Sequence, residues 1–160
     1  MRINQDVFVQ QGIMDCQIEQ LIEFSQTDSD VQKYTSDKSR FQDKTSFSQW
    51  LQQGRIIYTL IDTNNNLLGI IWFGQKNPPS ENIKANFTFA IRIYNSARGQ
   101  GLSQEFMKIA FNDLRSDHQN SRINGFWLET SIDNFAAIHT YKKFGFKQID
   151  QKDNKIIMVL

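Results

Sequence analysis

Apolar positions in the first third of the chain recur at intervals of three and four: Met14, Ile18, Leu21 and Ile22, then, less regularly, Phe41, Phe47, Trp50 and Leu51 up to Gly54. That spacing predicts two helices before residue 54. From Arg55 the period shortens. Ile56 to Ile61 is a compact, largely β-branched run, Asn64-Asn65-Asn66 is turn-forming, and Leu67 to Phe73 is a second apolar run, which together predict a hairpin. Pro78-Pro79 marks a loop. Phe87, Phe89, Ile91 and Ile93 then alternate with Asn86, Thr88, Ala90 and Arg92, the period of two expected of a strand with two different faces. It leads into Arg98-Gly99-Gln100-Gly101, after which Leu102, Phe106, Ile109, Ala110 and Leu114 form one stripe of a helix of about four turns. Phe126-Trp127-Leu128 marks another strand. Asp133 or Asn134 can cap a further helix with the stripe Ala137, Tyr141 and Phe144; Lys142 and Lys143 suit its last turn, and Gly145 the left-handed residue beyond. Two closing strands, around Phe146 to Ile149 and Ile156 to Leu160, flank a polar turn at Lys152-Asp153-Asn154. The order α-α-β-β-β-α-β-α-β-β predicts an α/β sandwich with a mostly antiparallel sheet.

Composition narrows the class. With 160 residues, 39% hydrophobic and 22% charged, the chain is expected to fold as a single domain over 1–160 with a substantial core. Lys+Arg 18 against Asp+Glu 17 leaves a formal charge of +1, too little for a broad field that would hold nucleic acid, and no polybasic run suggests a membrane surface. The longest apolar run, Leu67 to Phe73, is far short of the ~20 residues needed to cross a bilayer. A lone cysteine, Cys16, and a first segment unlike a signal peptide point to a cytoplasmic protein.

The chemistry concentrates at the glycines. Gly99 and Gly101 lie between a strand and a helix, where a tight turn can aim consecutive N–H groups at an anion on the positive end of the helix dipole. A P-loop would need Gly-Lys-Ser/Thr, whereas the chain has Gly101-Leu102-Ser103; a dinucleotide fingerprint would need a third glycine where Gln104 stands. A pyrophosphate-binding nucleotide enzyme of another fold is therefore only a third alternative.

Arg98-Gly99-Gln100-Gly101-Leu102-Ser103 resembles the R/Q-x-x-G-x-G/A pyrophosphate loop of the GNAT superfamily of N-acetyltransferases. Asn134 through Phe146, reading NFAAIHTYKKFGF, is similar to that family's N-x-x-A-x-x-x-Y-x-x-x-G-F segment. The two occur in the right order and elements; Ser103, where Gly or Ala is usual, departs from the pattern. The resemblance implies a GNAT-like fold: a mixed, mostly antiparallel central sheet flanked by helices, with splayed central strands forming an acetyl-CoA cleft. It further implies that Ile91, Arg92 and Ile93 line the pantetheine arm and acetyl carbonyl, and that Gly99 to Gln104 (Gly99, Gln100, Gly101, Leu102, Ser103, Gln104) with Arg98 hold the pyrophosphate. Asn134 and Tyr141 would also contact the cofactor, Tyr141 as the acid that protonates the departing thiolate. Glu129, five residues before Asn134, matches a glutamate proposed as proton acceptor in the resembling ribosomal-protein alanine acetyltransferases.

The activity implied is direct transfer of acetyl from acetyl-CoA, as cosubstrate, to a primary amine on a protein N-terminus, a lysine or a small molecule, without a metal. A non-catalytic acyl-CoA sensor or regulatory module is the alternative. Trp50, Phe41 and Phe47 are either acceptor-pocket or core residues. Cys16 is expected to face the core, and His118 and His139 share no metal-ligand spacing with an acid. A homodimer through the closing strands is compatible with the pattern, since such relatives often pair.

Overall fold

The computed structural model describes residues 1–117 and 123–160; His118 lies outside them. Seven strands, β1 (Val7–Gln11), β2 (Ile56–Asp62), β3 (Leu67–Gln75), β4 (Phe87–Ile93), β5 (Phe126–Ser131), β6 (Lys147–Lys152) and β7 (Lys155–Val159), form one sheet in the order β1-β2-β3-β4-β5-β7-β6. Every neighbouring pair is antiparallel except β4 and β5. The helices are α1 (Asp15–Thr27), α2 (Ser29–Tyr34), α3 (Asp37–Arg40), α4 (Lys44–Leu51), α5 (Leu102–Ser116) and α6 (Phe135–Phe144).

Strand alternation divides the interior into two cores. Tyr58, Leu60, Ile71, Phe73, Phe89, Phe126 and Leu128 pack with Phe106, Met107, Ala110, Phe111 and Leu114 of α5 and Tyr141 of α6. Their intervening neighbours Ile57, Ile70 and Trp72 pack on the opposite face with Leu21, Val31, Phe47 and Trp50 of α1, α2 and α4 and with Phe41, just after α3. Aromatic edges lock both cores: Phe73 meets Phe111 at 4.9 Å between ring centres, and Trp50 meets Trp72 at 5.3 Å, each pair nearly perpendicular. The aromatics Phe41, Phe47 and Trp50 are thus mainly packing residues, though Trp50 and Trp72 also reach the cleft described below.

The hairpin β2–β3, the strand β4, the helix α5 and the closing hairpin lie where the pattern predicts them. In the Asn64-Asn65-Asn66 turn, one oxygen of Asp62 accepts from the N–H of both Asn64 and Asn66 at 2.8 Å, and Asn65 takes φ 63°. Asn134, rather than Asp133, caps α6, accepting from the Ala137 N–H at 3.2 Å, and Gly145 ends it at φ 116°.

The N-terminal third differs from expectation. Val7–Gln11 is an additional edge strand whose Val7 and Val9 are buried; the second predicted helix is present as α4, with Phe41 just outside it, and α2 and α3 are two further short helices that the apolar pattern does not predict. Asp28 caps α2, accepting from Asp30 and Val31 N–H groups, and Asp43 starts α4 in a reciprocal capping box with Ser46. Cys16 is exposed, not core-facing. The buried stripe of α1 runs through Gln17, Leu21 and Ser25, one position round the helix from Cys16, with Ser25 returning its hydroxyl proton to the Leu21 carbonyl at 2.8 Å. On α5 the buried face also takes in Met107 and Phe111, and Ile109 is only half-buried, because the helix packs against the β-sheet and α6 together. The edge strand β6 carries Lys147, Asp150 and Lys152 and a register break between Gln148 and Asp150, features that blunt a strand edge.

Candidate active site

The parallel pairing of β4 with β5 covers only Phe87↔Phe126 and Thr88↔Trp127. Beyond Thr88, β4 stays paired to β3 as far as Ile93, while β5 stays paired to β7 along its other edge. Phe89 to Ile93 therefore presents an edge of backbone N–H and C=O groups to a cleft instead of to a strand. Buried unpaired backbone groups are costly, so such an edge is suited to a ligand with its own amides. The cleft has a volume of about 1270 Å³ and is lined by residues of β3, β4, β5, α2, α4, α6 and the glycine turn. That exceeds the ~300–1,000 Å³ usual for one small ligand and leaves room for two substrates.

At one end of the cleft a short 3-10 turn, Asn95–Ala97, leads into the glycines. Gly99 has φ 77° and Gly101, the N-cap of α5, has φ 73°. A Cβ at either would meet nothing within 4 Å, so the demand for glycine is conformational, not steric. The first N–H groups of α5, which have no intrahelical acceptor, open onto the cleft with Gly101, Leu102 and Ser103 in its lining. Around this turn the side chains serve as braces. Gln100 donates to the Ser96 carbonyl at 2.8 Å, and Gln104 donates to the Thr140 carbonyl at 2.9 Å, tying α5 to α6.

Arg98 is also a brace. Its guanidinium donates to both Asp28 carboxylate oxygens at 2.8 and 2.7 Å and, through Nε, to the Ile93 carbonyl at 2.9 Å; Asp30 lies 3.2 Å from Nη1. The arginine of the loop motif thus clamps α2 to the end of β4. Its backbone, more than its charge, remains for an anion.

Arg92 projects from β4 onto the α1–α4 face. Nε and Nη2 donate to Asp37 at 2.6 and 3.1 Å, Nη1 donates to the Ile91 carbonyl at 2.9 Å, and the guanidinium stacks 4.7 Å from the Trp72 ring centre. Burial alone would lower its pKa, but Asp37 outweighs that and holds it above the ordinary arginine value. Ile91 and Ile93 pack against the α5–α6 core, leaving their main chain at the open edge. Asn134 lines the cleft with its carbonyl oxygen engaged in the cap, which leaves ligand contact to its NH2 group.

Tyr141 is 6% exposed, its ring 5.8 Å from both Phe89 and Phe146. Burial raises its phenol pKa, with the nearby Arg92 charge pulling in the other direction, so the hydroxyl stays protonated through neutral pH. Glu129 is exposed and lines the cleft from β5. Phe126 and Leu128 point into the α5–α6 core, so alternation turns Trp127 and Glu129 to the Arg92 side. Trp127 donates its indole N–H to the Lys76 carbonyl at 2.9 Å, fixing that wall. The structure therefore brings Ile91, Arg92, Ile93, Arg98, Gly99, Gly101, Leu102, Ser103, Glu129, Asn134 and Tyr141 to one cleft; Gln100 and Gln104 stand just outside its lining. Cys16 and the exposed His139 are not part of it. Sequence reasoning missed Arg40, Arg55 and Lys76, which also line the cleft. Only tertiary packing assembles them, although Arg55 directly after Gly54 was a visible charged start to a strand.

A strand edge left open beside a phosphate-suited helix terminus defines an α/β protein whose cleft suits an extended, phosphate-bearing ligand. Solved structures with this architecture include a spermidine N-acetyltransferase from Vibrio cholerae in complex with CoA and spermine. It has 14% identity and TM-score 0.70, covering 98% of this chain and 94% of that one. A ribosomal-protein alanine acetyltransferase from Vibrio fischeri has 9% identity and TM-score 0.75 over 99% and 94%. An aminoglycoside acetyltransferase in complex with coenzyme A has 17% identity and TM-score 0.72 over 96% and 94%. No curated protein matches the sequence significantly. The family model described as Acetyltransferase (GNAT) domain matches residues 15–147, and the chain belongs to that family: it is a GNAT acetyltransferase. Among the described residues no helix is long and apolar enough to cross a membrane.

Proposed function

We propose that the protein binds acetyl-CoA along the open edge of β4 and transfers its acetyl group directly to a primary amine. The observation that carries this reading is the loss of β4–β5 pairing after Thr88, next to the positive-φ turn at Gly99 and Gly101. The pantetheine amides would pair with the main chain of Ile91 to Ile93, and the pyrophosphate would meet the N–H groups from Gly99 to Gln104. Ser103 adds a hydroxyl that can donate to a phosphate oxygen. Coenzyme A in two structural relatives supports the cosubstrate.

The chemistry follows from the groups in the cleft. An amine nitrogen attacks the thioester carbonyl, and its lone pair forms the new C–N bond while the carbonyl oxygen takes up charge against a β4 N–H. The C–S bond then breaks. The electron pair leaves with sulfur, which takes a proton from the Tyr141 hydroxyl, and the proton lost by the amine passes to Glu129, directly or through one water. Arg92 lowers the cost of charge on the Tyr141 oxygen. With Cys16 outside the cleft, the acetyl group needs no acyl-enzyme stage.

Release of free CoA thiol from acetyl-CoA in the presence of an amine series tests the reading. Glu129→Gln is expected to lower the rate about 10²-fold at neutral pH. The variant should recover as pH rises, tenfold per unit, since only the neutral fraction of a free amine can then react. An unaltered rate and pH profile would remove Glu129 from proton transfer. Saturable acetyl-CoA binding with no thiol release across the series would favour the sensor alternative.

A further inference from the structure

One wall of the cleft is strongly cationic. Arg40, Arg55, Lys76 and Arg92 line it, with Glu129 as the acid facing them and Asp37 buried beneath. Asp37 is shared: Arg92 donates to both of its oxygens and Arg40 pairs with one. Two guanidinium groups on one carboxylate leave one positive charge uncompensated, and the unpaired Arg55 adds a second, before Lys76 and Glu129 are counted. The charges repel. Burial first, and then Arg92 and Arg55, lower the pKa of Arg40.

Arg55 is the guanidinium of this wall without an acid. Among the described residues it forms no ion pair, its Nε is buried without a hydrogen-bond partner, and Nη2 only approaches Gln53 Oε1 at 3.4 Å. Its position is nonetheless built. The guanidinium lies across Gly74 of β3, where a Cβ would come within 2.1 Å of Nη1, and it sits 5.9 Å from the Trp50 ring centre. Arg40 is held over Phe41 and Trp72 at 5.7 and 5.8 Å. Planar donors fixed on aromatic faces lose little freedom when they bind a carboxylate.

Resting on the acetyl-transfer reading above, we infer that the acceptor is a small amine carrying its own carboxylate, which docks on Arg55 and Arg40 while the amine reaches the open edge of β4 near Glu129. A polyamine or polycationic sugar would bring further positive charge to a wall already in excess, so the substrate class differs from the spermine seen with the Vibrio cholerae relative.

The test is thiol release with matched acceptors: free α-amino acids, their carboxamides, the corresponding decarboxylated amines, short peptides with acidic or neutral residues near the N-terminus, and spermidine. The expected result is a kcat/KM for the carboxylate-bearing amines about 10- to 100-fold above their amides. In Arg55→Ala that preference should collapse toward unity while acetyl-CoA affinity, measured by calorimetry, holds. Gly74→Ala, which expels the Arg55 guanidinium but keeps the arginine, should act in the same direction and guards against misfolding of a single variant. Reaction with acidic peptides alone would keep the carboxylate chemistry and assign its source to a peptide. Equal rates for acids and amides, or a preference for spermidine, overturns the inference while leaving acetyl transfer standing. No thiol release from any acceptor retires both.

Discussion

Tyr141→Phe is expected to lower kcat on the order of 10²-fold with little change in acetyl-CoA affinity. The substitution removes one oxygen and keeps the ring that packs on Phe89 and Phe146, so the core and the cofactor wall persist. On the proposed mechanism, what is lost is the proton for the departing sulfur. The pH dependence carries a second signature. Because burial raises the phenol pKa, Tyr141 remains protonated as pH rises through neutrality, and the alkaline fall in kcat that it causes lies above its ordinary value of ~10. That fall should be absent from the variant. Steady-state rates across pH, with Kd from calorimetry, separate the outcomes: an unchanged kcat excludes Tyr141 as the acid, and a weakened Kd with unchanged kcat makes it a binding residue.

Asp37→Ala is expected to cause the largest loss of stability of any single change at the cleft. The Asp37 side chain is 2% exposed and the Arg92 side chain 15%, and the carboxylate is the acid that compensates both Arg92 and Arg40. Removing one partner of a buried pair strands the other charge, a cost of about 3–5 kcal/mol, more than the pair itself contributes. For a chain of this length that lowers Tm by roughly 6–20 °C. Urea denaturation measures it directly. A midpoint within experimental scatter of the parent would show that Arg92 finds water or another acceptor, and that the cluster is a surface feature. Asp37→Asn, which keeps one carbonyl acceptor, should fall between the two.

The two halves of the chain were legible to different degrees. From Arg55 onward, element type follows from local chemistry: β-branched runs bounded by asparagine and glycine, a clean period of two at Phe87 to Ile93, and helix stripes with caps at Asn134 and Gly145. The N-terminal third obeys weaker signals. Val7 and Val9 make a strand only because β2 lies alongside, pairing Val7 with Asp62 and Val9 with Leu60. The break into α2, α3 and α4 is written in Asp28 and in the Asp43–Ser46 capping box, signals that an apolar-stripe reading passes over. Gln17 occupies a core position by accepting from the Met14 N–H at 3.0 Å, which no hydrophobic pattern reveals.

For the site, the glycine turn and the Asn134–Phe146 segment pointed to the cleft because backbone conformation and spacing are local properties. The role of side chains was not local. Arg98 is spent on Asp28, seventy positions away, and Arg92 on Asp37, fifty-five away. The basic wall is equally a product of folding: Arg40 is on α3, Arg55 in the connection before β2 and Arg92 on β4, and a net charge of +1 gives no hint that they converge.

The central claim is that β4, opened beyond Thr88, and the turn at Gly99 to Gly101 form a site for acetyl-CoA. Calorimetric titration of the purified protein with acetyl-CoA, against NAD and ATP, tests it most directly. The account predicts saturable binding of one equivalent, with a matching rise in thermal midpoint, since a ligand at 100 times its Kd stabilises the folded state by ~2.7 kcal/mol. Absence of binding at millimolar acetyl-CoA, or equal binding of all three nucleotides, would contradict it.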